Sequence, residues 1–105
     1  MVAFFIAVGL TWPVAMSPQS ILVGHPGNDT WNHVWGYWWV REEILSGSWP
    51  TQADGLAFPR GGTLYFIDTI QVLFSLPISF VFGVVAAFNS IMIGEIMLAG
   101  IGAWL

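Results

Sequence analysis

The chain has 105 residues, a net charge of −4, no cysteine, and 8% charged against 56% hydrophobic residues. Soluble domains carry about 25% charged residues, so this composition, with a mean hydropathy of +0.74, places the chain in the membrane class. Two basic residues leave no electrostatic footprint for nucleic acid or anionic headgroups, and the lack of thiols removes disulfides, thiolate metal sites and cysteine nucleophiles.

The pattern predicts a single membrane-embedded, all-α unit. It has three transmembrane helices at about 2–23, 64–82 and 85–105, and one amphipathic surface helix at about 30–46. The first apolar run, 1–16, is short for a span, and Ile21, Leu22 and Val23 extend its buried length. A signal peptide is the rival reading, but a basic leading region is missing and Ala15-Met16-Ser17 runs straight into Pro18. Trp12 suits the headgroup level, and Pro13 should kink or end the helix.

Residues 24–62 form the one long polar stretch, with both arginines, both histidines, five of the seven tryptophans and four of the six acids. Ser17-Pro18 and His25-Pro26-Gly27 signal turns, and Asn28, Asp29 and Thr30 are candidate N-caps. Trp31, Val34, Trp35, Trp38 and Leu45 then recur at helical spacing, with Gly47 placed to end the helix. Such a helix either lies along the membrane surface with its rings in the interface or packs its aromatic stripe against other protein. Residues 48–62 read as a second loop, and Thr63 can cap the next helix.

Residues 64–82 would rise roughly 28 Å, enough for a ~30 Å hydrocarbon core. Pro77 should kink this span, and a tight reversal at Gly83 should start the third. The apolar run reaches Ala103-Trp104-Leu105, so the chain is expected to be a fragment of a longer polytopic protein whose remaining helices are its partners. Arg41 and Arg60, taken literally, would put the loop in the cytoplasm, but two arginines are a weak bias.

Asp68, Gln71 and Glu95 are the intramembrane polar candidates, since charge inside a span faces protein and often marks function. A reversal centred on Gly83 sets Gln71 and Glu95 level, so a protonated Glu95 is expected to hydrogen-bond Gln71, with a proton relay as the alternative. Gly94, Ala99, Gly100 and Gly102 suit close helix packing. Asp29 follows a turn and opens a helix, where an N-cap is the plain reading. His25, Asp29 and His33 are spaced four and four, but Pro26-Gly27 breaks the helix that would align them on a metal. His33 and Arg60 are the candidates for binding a phosphate-bearing substrate, against the simpler readings of surface histidine and interfacial anchor. Asn28-Asp29-Thr30 also fits a glycosylation sequon.

The order of short motifs resembles a known class. An apolar helix is followed by Gly27-Asn28-Asp29-Thr30, an aromatic-rich helix, and Leu45-Ser46-Gly47-Ser48-Trp49-Pro50. Then come Ala57-Phe58-Pro59-Arg60-Gly61-Gly62, a span, Phe82-Gly83 and Ala87-Phe88-Asn89. Over nearly its whole length the chain resembles the N-terminal part of GT-C class bacterial integral-membrane glycosyltransferases and related polytopic proteins. The resemblance implies that Asp29, in the first extracytoplasmic loop (24–63), binds or activates the acceptor or helps hold a divalent metal. It also implies a polyprenyl-phosphate sugar donor and a place in the bacterial inner membrane. Many relatives read Gly-Asp where this chain has Asn28 inserted between Gly27 and Asp29, and a second acid would be Asp54 or lie beyond Leu105. The competing expectation is a non-enzymatic polytopic protein, a transporter or assembly subunit, in which Asp29 only caps a helix.

Overall fold

The computed structural model describes residues 1–25, 27–56, 59–63 and 68–105. Among these residues the chain is helical. It contains α1 (Val2–Leu10), a 3-10 turn (Val14–Met16), α2 (Thr30–Leu45), α3 (Thr69–Phe82) and α4 (Val84–Gly102). Strands β1 (Gln52–Ala53) and β2 (Gly62–Thr63) pair antiparallel, Gln52 with Thr63 and Ala53 with Gly62. The second loop is therefore closed at its base by a short ladder, where the sequence predicted only turns.

Among the described residues one helix, α4, is long and apolar enough to cross a membrane. The other expected spans are shorter. The first does not run over 2–23: α1 ends at Leu10, the Thr11 hydroxyl bonds back to the Ala7 carbonyl at 2.8 Å, and Pro13 precedes the 3-10 turn. A proline supplies no backbone donor to continue the helix. The second, α3, is 14 residues long from Thr69, and 64–67 of its expected range lie outside the described residues. Ala57 and Phe58 of the quoted motif, and Pro26 of the first turn, lie outside them too.

The reversal at Gly83 is as expected. Gly83 has φ +89, a left-handed conformation open to glycine, and it ends α3 and starts α4 with no intervening loop. The two helices form an antiparallel hairpin, and α1 packs along the far half of α4, with Ala3 against Gly100.

The helix α2 matches its expected range within one residue, and part of its aromatic surface packs against protein. His33 meets Asp68 at the start of α3, while the Arg41 guanidinium lies 5.5 Å from the Phe80 ring near its end. Thus α2 runs lengthwise beside α3. Gly36, Tyr37, Trp39 and Val40 are buried on its inner face, in one cluster with Val72, Ala87 and Phe88 for all but the glycine. Trp31, Trp35 and Trp38 remain exposed on the outer face. Burial of Tyr37, Trp39 and Val40 drives the lengthwise contact, because each removes a large apolar surface from solvent.

Candidate functional site

A cleft of about 420 Å³ lies where the first half of α2, the start of α3 and the middle of α4 meet. Its polar lining comprises Asn28, Asp29, Thr30, His33, Asp68, Gln71 and Glu95. Its apolar walls are Val23, Tyr37, Phe88, Ile91 and Met92. Five of the six candidate residues therefore converge on one place. Arg60, the sixth, is exposed and outside the lining.

Asp29 sits at the N-cap position of α2, but its side chain makes no capping bond. Its Oδ1 instead accepts from the Asn32 amide, and its backbone carbonyl takes the Asn32 and His33 N–H groups. The plain N-cap role expected from spacing is not realised by the carboxylate.

His33 Nδ1 meets the Asp68 carboxylate, joining residues 35 apart in sequence. Asp68 holds the N-cap position of α3, again without a side-chain cap, and its carbonyl accepts the Val72 N–H at 2.9 Å. A carboxylate on one ring nitrogen fixes the orientation of an imidazole and sets where its proton resides. Helix α3 thus supplies the group that orients a histidine on α2.

Gln71 and Glu95 share the cleft, as their equal distance from Gly83 predicts. No hydrogen bond joins them, and Glu95 is exposed, so the expected bond across the hairpin is absent. Tyr37 is 3% exposed and sets the edge of its ring on Phe88, 5.4 Å between centroids at 82°. Burial, then the Asp68 and Glu95 carboxylates, push its hydroxyl well above the usual tyrosine range. It remains a neutral hydroxyl beside two acids.

The cleft carries three carboxylates and no arginine or lysine. Arg41 is engaged elsewhere, bonded to Glu42 at 2.6 Å. His25 is exposed, and its Nδ1 accepts the Gly27 N–H at 3.1 Å. Among the described residues no group of three His, Asp or Glu side chains converges on a metal position. These donors do not fit the divalent metal that the resemblance implies.

No family model, curated protein or solved structure matches the chain.

The arrangement can accept a proton at Asp29 or at the His33–Asp68 pair, and it can hold hydroxyl groups through Asn28, Thr30 and Gln71. Sequence reasoning missed Asn89. This residue is fully buried, and its amide donates to the carbonyls of Pro18 at 2.7 Å and Ile21 at 2.6 Å. Its Oδ1 accepts the Val23 N–H at 2.9 Å. The signal was present, since an amide after Ala86, Ala87 and Phe88 in an apolar span needs partners.

Proposed function

We propose that the chain is the N-terminal part of a membrane glycosyltransferase-like protein. It would transfer a sugar from a polyprenyl-phosphate donor at the extracytoplasmic face of the bacterial inner membrane. The observation that carries this reading is the convergence of Asp29 with the His33–Asp68 pair in one cleft, beside a helix long enough to cross a bilayer.

Asp29 takes the proton from an acceptor hydroxyl. The hydroxyl oxygen bonds to the anomeric carbon of the sugar, and the bond from that carbon to the phosphate oxygen breaks. Polyprenyl phosphate leaves with the electron pair. His33, held by Asp68, orients the acceptor. Arg60, on the loop outside the cleft, is the candidate contact for the donor phosphate. The three carboxylates repel a phosphate from the cleft itself, which suits acceptor binding there.

A second reading, a non-enzymatic transporter or assembly subunit, is favoured by Glu95. That residue brings a carboxylate into a polar cleft from α4, a helix long and apolar enough to cross. One experiment separates the two. In the full-length protein Asp29→Asn should lower sugar transfer at least ~100-fold, the scale of a lost general base, with normal membrane insertion. Glu95→Gln should lower it far less. Transfer retained by Asp29→Asn overturns the enzymatic reading.

A further inference from the structure

The structure assigns Asn89 a role as the positioning residue of the cleft: it latches the 17–23 connector so that Val23, Gly24 and Asp29 form the cleft's outer wall. The inference rests on the reading of Asp29 as the reacting carboxylate. Its test involves no sugar transfer, so the two readings fail separately.

The contacts run in an unbroken line. The connector turns on itself, with the Ser20 and Ile21 N–H groups on the Ser17 carbonyl at 3.0 and 3.1 Å. Asn89 then holds it at three backbone points, the Pro18 and Ile21 carbonyls and the Val23 N–H. Two of these groups only accept and one only donates, so the amide has one orientation that satisfies all three. Val23 and Gly24 follow directly and line the cleft. Gly24 has φ +136, and a Cβ there would stand 2.3 Å from the Thr30 hydroxyl. That close approach seats the connector against the residue next to Asp29. On the other side, Phe88, Ile91 and Met92 of the same α4 segment form the cleft's apolar wall. Asn89 thus binds one wall of the cleft to the helix that supplies another.

A hydrophobic side chain of similar volume would fill the space and leave three part-buried backbone groups without their side-chain partner. The connector would then move to reach water, and Gly24 and Asp29 with it.

The chain has no cysteine, so a single introduced thiol is a clean reporter. The full chain is reconstituted in lipid, and hydrogen exchange is read at the Val23 amide. In the unaltered protein this loop amide should be protected. Asn89→Leu should raise its exchange at least tenfold. In a Glu95→Cys background, Asn89→Leu should change labelling by a water-soluble thiol reagent at least threefold, with no change at a control Asp54→Cys in the loop. Asn89→Asp supplies a readout that mere space-filling would not move. As a neutral acid it donates once and accepts the Val23 N–H; as an anion it repels both carbonyls. Val23 protection in that variant, corrected for intrinsic exchange, should therefore fall as pH rises.

Three results would each overturn the proposal. The first is an unprotected Val23 amide in the unaltered protein, a measurement that needs no variant to fold. The second is a freed Val23 amide with unchanged Glu95→Cys labelling, which makes Asn89 an anchor that does not shape the cleft. The third is pH-independent protection in Asn89→Asp.

Discussion

Tyr37 shows how the cleft is balanced between apolar burial and charge. Its ring is packed in the core, while its hydroxyl faces a neighbourhood containing Asp68 and Glu95. Ionising it would bury an anion beside two others, so the folded state favours the protonated form. The linkage follows in sign. The folded pKa lies above the ordinary value of ~10, so this contribution is fully present below about pH 10 and is lost as pH rises through the folded value. Tyr37→Phe keeps the buried ring and its edge contact with Phe88, so it should change stability near neutrality by no more than about 1 kcal/mol. It should also flatten the alkaline limb: thermal melts from pH 8 to above pH 11 should show the unaltered protein losing more stability than the variant. A parallel fall in both would mean that Tyr37 is not held neutral by its surroundings. Asp29 and His33 were legible as candidates because polar residues at a helix start stand out in an apolar chain. The partners of His33 and Asn89 were not, because residues 35 and 66–71 apart leave no local spacing signal.

At the scale of the element, α2 explains what the sequence could and could not specify. Its helical range was readable from the recurrence of tryptophan and from Gly47. Its packing was not, because aromatic residues occupy both faces. Trp31, Trp35 and Trp38 point outward, while Tyr37 and Trp39 point inward, and no polar stripe marks which side faces protein. Even Trp35 and Trp39, stacked with ring centroids 5.9 Å apart, differ in exposure. The inner face is chosen by fit: Gly36 presents no side chain, and Val40 is fully buried in the cluster with Val72. The faces should therefore respond differently to truncation. Val40→Ala should lower unfolding stability by about 2 kcal/mol, the lost burial of a valine and the cavity it leaves. Trp38→Ala should change it by no more than ~0.5 kcal/mol, as for a surface site, while weakening the hold of α2 on lipid. Denaturant unfolding of both variants checks this, and an equal loss in the two would mean that α2 has no preferred face.

The whole molecule is an elongated body of 49 × 29 × 25 Å with apolar side chains over much of its surface. The 19 residues of α4 rise roughly 28 Å, close to a ~30 Å hydrocarbon core. The cleft lies part-way along that helix at Glu95. Because α2 runs beside α3, its charged end, Arg41 to Glu43, lies near the Gly83 turn, while its Asp29 end opens into the cleft. Were α4 to cross a bilayer, a polar cavity part-way along it would be tolerated where protein, not lipid, lines it, and here α2, α3, α4 and the connector supply the lining. In the proposed membrane setting the exposed apolar side chains would face lipid. Phe74 on α3 is 78% exposed and Leu98 on α4 is 63% exposed, values that would be costly in water as part of one continuous surface. Single cysteines at Phe74 and Leu98, in the chain reconstituted in a bilayer, should react with a water-soluble thiol reagent at least ~10-fold more slowly than cysteines at Glu43 and Asp54. Detergent solubilisation should leave this order in place, because the micelle covers the same apolar belt. Equal labelling at all four positions in the bilayer would place α3 and α4 in water, and the cleft would then have to work without a membrane-borne donor.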